Sequence, residues 1–181
     1  AFPPLFPALR DEFGLSNAAL GVLISVFSIG LLLQLPVGEL VDRFGAKPIF
    51  VAGTALTAAG VGLAGFATSY LWLIAGAVVS GIGQSAFHPA DYALLDAVTD
   101  GENKGKSFGV HSFGAYVGFA IAPLVVGGIA LRADWRLALF AVGAAGVLYA
   151  ALAAVTLDSP YRRQLDETTT DENGGTLGET L

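Results

Sequence analysis

Five apolar runs, each about as long as a bilayer is thick, set the terms on which this chain can fold. A helix rises about 1.5 Å per residue and crosses the roughly 30 Å hydrocarbon core in about 20 residues. Runs of that length extend over residues 17–37, 48–67, 70–95, 107–131 and 135–157. They are rich in Gly, Ala, Val and Leu and carry Gly and Pro inside them. Membrane helices tolerate those residues because neighbouring helices satisfy the freed backbone groups. A soluble bundle would need charged helix faces, and five consecutive helices without one cannot all be buried in 181 residues. Charged residues are 13% of the chain, about half the roughly 25% of a soluble domain. Apolar runs that recur along the whole chain are not a cleaved signal peptide. The expectation is an all-α integral membrane protein with five full spans, its first partner being the lipid bilayer.

The remaining composition narrows function. Net charge is −6 with no basic stripe, which argues against nucleic acid as a partner. The chain has no cysteine, which excludes disulfides and thiol nucleophiles. No metal centre and no cofactor is expected. The segment from Gln164 to Leu181 holds five acids and no base, whereas residues 1–163 hold ten acids and nine bases. The acidic balance therefore describes a solvated, disordered linker and says nothing of a cationic substrate. Ahead of the spans, residues 1–9 read as the last turns of a further membrane helix. The domain reading is thus 1–9 as that helix end, 10–157 as the body of spans and 158–181 as the acidic linker. With no methionine at all, the chain is expected to be a fragment or a processed product.

Orientation is read from Lys and Arg near the span ends. One side has Arg43, Lys47, Lys104, Lys106, Arg162 and Arg163, and the other has Arg10, Arg132 and Arg136. The first side is expected to be cytoplasmic, and the C-terminal tail with it. The expected location is the plasma membrane, crossed several times.

The connector after the first span runs from Gly38 to Pro48. Gly38 allows close helix approach, Asp42 offers a carboxylate to a helix N-terminus or an Arg, and Gly45 permits the positive φ of a tight turn. This segment resembles the signature loop of the major facilitator superfamily at Gly38, Leu40, Asp42, Arg43, Gly45 and Lys47, with Ala46 in place of a basic residue. Pro3-Pro4-Leu5-Phe6-Pro7, Trp135-Arg136 with Phe140, and Asp158-Ser159-Pro160 are similar to other stretches of that family. The resemblance implies that the five spans are family helices two to six. It implies an N-terminal six-helix bundle built as three-plus-three inverted repeats, with most of helix one and the C-terminal half outside this chain. It further implies secondary active transport of a small molecule by alternating access, with the missing half as partner. In the family the Asp of the signature loop latches the outward-facing state.

Polar groups inside spans are costly and point to function by default. The third span carries Gln84, His88 and Asp91 around Pro89, the fourth carries His111 and Tyr116, and the first carries Gln34. His88 and His111 are expected at similar depth on antiparallel neighbours, so a His88, Asp91 and His111 cluster could carry coupling protons. Equally, Pro89 breaks the helix, Asp91 could cap its cytoplasmic continuation, and the histidines could snorkel to an interface. Gly109, Gly118, Ala122-Pro123 and Gly127 on the fourth span resemble the family's antiporter motif. Gly109, Gly114, Gly118, Pro123 and Gly127 are expected to pack against a neighbouring helix, as any small-residue face can. Phe87-His88-Pro89 is similar to a subgroup containing fosmidomycin-resistance-type exporters. Ala77 stands where many proton antiporters of the family carry Arg. The favoured function is a proton-coupled exporter, with coupled uptake and a non-transporting sensor or scaffold as alternatives. An intramembrane serine protease at Ser85 is disfavoured by Ala86, where that chemistry wants Gly, so no enzyme is expected.

Overall fold

The computed structural model describes residues 2–99 and 101–157, so the expected linker 158–181 lies outside the described residues. Among these, every regular element is helical. A 3-10 turn, Pro3–Leu5, leads into α1 (Phe6–Phe13). Next come α2 (Asn17–Ser28), α3 (Gln34–Phe44), α4 (Ala46–Ala64) and α5 (Tyr70–Gln84). The last three are α6 (Phe87–Ala97), α7 (Lys104–Arg132) and α8 (Trp135–Thr156). Five stretches are long and apolar enough to cross a membrane: Asn17–Phe44, Ala46–Ala64, Tyr70–Ala97, Gly101–Arg132 and Trp135–Thr156.

Local chemistry sets the helix ends. Gly14 closes α1 at φ 62°, and its N–H donates to the Arg10 carbonyl. The Ser16 hydroxyl caps α2 by accepting from the Ala19 N–H at 3.2 Å. Asp134 caps α8 by accepting from the Arg136 N–H. These ends use up backbone donors and acceptors that a helix leaves unpaired.

One boundary differs from expectation. The first span does not stop near residue 37 but runs on to Phe44, so Gly38, Leu40, Asp42 and Arg43 lie on helix α3 and not in a loop. Only Gly45, at φ 85°, makes the turn, and Lys47 sits in the first turn of α4. The apolar run thus ends before the helix does. Val41 stays buried while Asp42, Arg43 and Phe44 are exposed.

Two spans are interrupted, and each break precedes a proline. Between α2 and α3 the chain passes through a 3-10 turn, Ile29–Leu31. Pro36 has no N–H to give the Leu32 carbonyl. Between α5 and α6, Ser85 and Ala86 fall back on shorter bonds to the Ile82 and Gly83 carbonyls, and Pro89 leaves the Ser85 carbonyl without its helical donor. Pro123 sits inside α7 without interrupting it.

α4 lies at the centre, packed against α5 and α8. Small residues let these helices approach closely. A Cβ on Gly60 would lie 2.5 Å from the Ser80 hydroxyl and 2.8 Å from the Gly76 carbonyl. Thr57 and Ser80 exchange hydroxyl-to-carbonyl bonds of 3.4 and 3.3 Å across the same seam. The larger apolar cluster gathers α1, α2, α5 and the start of α8 around Leu9, Leu23, Leu73 and Leu139. A smaller one, of Val41, Phe50, Ala90 and Ala153, lies toward the other end.

Candidate functional site

α6 and α7 bring two of the three groups expected to cluster, Asp91 and His111, into contact, and His88 approaches them only through Tyr92. Asp91 Oδ2 lies 3.2 Å from His111 Nε2, and the Asp91 side chain is 14% exposed. Its other oxygen, Oδ1, is buried with no hydrogen-bond partner among the described residues. Tyr92 joins the two histidines, its ring centroid 5.3 Å from His88 and 5.9 Å from His111. Phe108 backs Tyr92 at 5.5 Å. Asp91 and His111 also line a cleft of about 410 Å³ between α4, α6, α7 and α8. Its aromatic wall is Phe50, set edge-on to Phe87 at 5.8 Å and to Tyr149 at 6.3 Å. Chemically, a shielded carboxylate with one oxygen on an imidazole and one unpaired can take or release a proton, or meet a donor from a ligand.

Tyr92 is not among the residues expected to cluster, although its position four residues after His88 puts both on one helix face. Other expected residues lie elsewhere. Tyr116 is exposed on α7. Gln84 ends α5, half-buried, and Gln34 opens α3 with its Nε2 buried and unpartnered among the described residues. Gly109, Gly114 and Gly118 have nothing within 4 Å of a Cβ built on them, while one on Gly127 would lie 3.9 Å from Pro4. The small-residue face of α7, with Gly109, Gly114 and Gly118, is thus open among the described residues. Asp42 is exposed, and its neighbour Arg43 stands 3.9 Å from Glu39.

A second polar constellation lies at the opposite end and is not foreseen from the sequence. Glu12 accepts from Trp135 Nε1 at 2.6 Å and from Arg136 Nη1 at 3.0 Å, and pairs with Nη2 as well. Arg136 Nη2 also donates to the Ala67 carbonyl at 3.0 Å, and its guanidinium lies 4.2 Å from the Trp135 ring centroid. The Arg136 hydrogen bond holds the Glu12 carboxyl below its ordinary value. Partial burial opposes this, and the Trp135 donor adds to it. Trp135-Arg136 is visible as a pair, but Glu12 is 124 residues from Arg136 and carries no local signal.

A chain whose regular elements are all helical among the described residues, with five stretches long and apolar enough to cross a membrane and a shielded carboxylate–imidazole contact between two of them, is a multi-pass membrane protein. Residues 1–178 match the model of the Major Facilitator Superfamily, and the chain belongs to that family. Over 160 residues it is 30% identical to multidrug resistance protein 1 of Bacillus subtilis, covering 88% of this chain and 41% of that protein. It is 32% identical over 157 residues to a Cupriavidus necator protein named probable sulfoacetate transporter, covering 85% of this chain and 36% of that one. It is 25% identical over 160 residues to a quinolone resistance protein of Staphylococcus aureus, covering 88% of this chain and 41% of that one. The chain spans about two fifths of the length of these relatives.

Proposed function

We propose that this chain forms the N-terminal half of a secondary transporter that carries a small organic molecule across the plasma membrane by alternating access. In this reading it is no enzyme. The bundle supplies one wall of a midplane pathway, as halves of this kind do. The end bearing Arg43, Lys47, Lys104 and Lys106 faces the cytoplasm, in keeping with the basic bias. The Asp42 carboxylate, exposed at that end, is free to reach a helix of the other half.

Proton coupling is carried by one observation. Asp91 lies within a span, one oxygen on His111 and the other buried and unpaired. A proton added at Oδ1 would neutralise the carboxylate and weaken its hold on His111, and Tyr92 and His88 continue the polar path. Export is preferred over uptake because the Bacillus and Staphylococcus relatives are named for drug resistance. Coupled uptake is the second reading, since the sulfoacetate relative is named as a transporter and not for resistance.

The test is Asp91→Asn and His88→Ala in the whole transporter, with flux followed in liposomes across a pH series. Asp91→Asn is expected to lower proton-driven flux by about a hundredfold, the scale of losing a proton-transfer group, and to flatten its pH dependence. Unchanged pH profiles in both variants would remove the cluster from the mechanism.

A further inference from the structure

We propose that Tyr92 is a positioning residue for His111, its ring fixing the imidazole so that Nε2, and not Nδ1, carries the proton toward Asp91. This rests on the proton-coupling reading of Asp91 and deepens it. Tyr92 reaches from α6 to α7. Its ring centroid lies 5.9 Å from that of His111 with the planes at 75°, an edge-to-face pair. Phe108, three residues before His111 on α7, packs on the same ring at 5.5 Å. On α6 itself His88, one turn earlier, lies 5.3 Å away and tilted by 34°. Three rings thus confine Tyr92, and Tyr92 in turn forms a wall against His111.

The imidazole needs such a wall. The contact of 3.2 Å from Nε2 to Asp91 Oδ2 sets its direction, but the His111 side chain is 34% exposed. It also borders two open spaces, the cleft that it shares with Asp91 and Tyr149 and a second hollow that it shares with Leu95 and Lys106. The ring therefore has room to turn. Rotation about the last side-chain bond of histidine is soft and roughly two-fold. A half-turn takes Nε2 away from the carboxylate and brings a C–H in its place. On a neutral imidazole the proton's place follows the hydrogen bonds that the two nitrogens make. A ring that turns thus loses its direction and its tautomer together. An aromatic side chain packed against it, and itself held by Phe108 and His88, resists the turn.

The test follows the imidazole itself in the whole protein in liposomes. Nitrogen NMR of isotope-labelled histidine would be recorded in alkaline buffer, where the ring is neutral. The His111 signals are those lost in His111→Gln. Wild type is expected to show one tautomer, with the proton on Nε2. Tyr92→Phe should show the same, since it keeps the ring. Tyr92→Leu should show both tautomers in comparable amounts and lower proton-driven flux by about tenfold, within the cost of a misplaced reacting group. Phe108→Leu loosens the Tyr92 ring and should give the same mixture in smaller proportion. It decides the matter if Tyr92→Leu does not fold. A single Nε2 tautomer in both leucine variants would overturn the positioning role. So would a mixture in Tyr92→Phe equal to that in Tyr92→Leu, since the hydroxyl and not the ring would then be responsible. The tautomer reads positioning whether or not protons drive transport, and the pH profile of Asp91→Asn reads coupling alone, so the two fail separately.

Discussion

The two ends of this bundle are built on different principles. At the Glu12 end, one guanidinium ties together three connections. Arg136 comes just after the α7–α8 turn, Glu12 precedes the α1–α2 turn, and Ala67 lies between α4 and α5. Beneath it sits the larger apolar cluster. At the Asp42 end the smaller cluster has four buried residues, and the ion pairs Arg43 with Glu39 and Lys104 with Asp96 are both exposed. Both helix breaks, and the two buried polar atoms without partners among the described residues, lie on the way to this second end. Buried apolar packing and shielded charge pairing are thus concentrated at the Glu12 end, and both helix breaks lie toward the Asp42 end.

The comparison is broken most directly by core truncation. Leu139→Ala, at a fully buried site in the larger cluster, is expected to cost about 2–5 kcal/mol through the cavity it leaves. Val41→Ala removes fewer atoms from a smaller cluster, and less than half that cost is expected. Unfolding midpoints in detergent titrated with SDS would measure both. Equal losses would mean that the second end is as firmly packed as the first.

A smaller effect is expected at the clamp. Glu12→Gln keeps an acceptor for Trp135 but loses the charge facing Arg136. The cost should be about 1 kcal/mol at neutral pH, since the pair is partly solvated. The sign of the pH dependence comes from the lowered Glu12 value. A carboxyl whose value is depressed by folding stabilises the fold above its ordinary value, and that contribution fades as pH falls through the lowered one. Wild-type and Glu12→Gln stabilities should therefore converge in acid and separate toward neutrality. A gap that stays constant across pH would show that the clamp works through shape alone.

Much of this frame is legible in the residues, and the reasons for the rest are specific. Apolar length locates the spans, Pro89 locates one break, and the positive φ at Gly45 comes from residue type. The continuation of the first span to Phe44 is not legible, because hydropathy marks where hydrocarbon ends and not where a helix does. The break at Ile29–Leu31 is hidden inside an unbroken apolar run, five to seven residues ahead of Pro36. The approach of Asp91 to His111 can be placed from helix spacing because α6 and α7 are consecutive helices joined by a short connector. Glu12 cannot be paired with Arg136 in this way, since tertiary packing alone brings them together across 124 residues.

The smallest expected effect sharpens the contrast by its size. Glu39 and Arg43 stand one turn apart on α3 at 3.9 Å, with side chains 71% and 69% exposed. Water screens such a pair, and the entropy of holding two long side chains offsets most of the attraction. Glu39→Gln should change stability by about 0.3 kcal/mol or less, against the larger and pH-dependent loss for Glu12→Gln. Both substitutions remove one carboxylate charge facing one arginine, so the difference between them isolates what the surroundings add. If Glu39→Gln proved as costly as Glu12→Gln, the exposed pair would be part of a firmer structure at the Asp42 end. A near-zero effect, measured beside the Glu12 result, would mean that the Arg43 and Glu39 pair adds nothing to the hold at the Asp42 end.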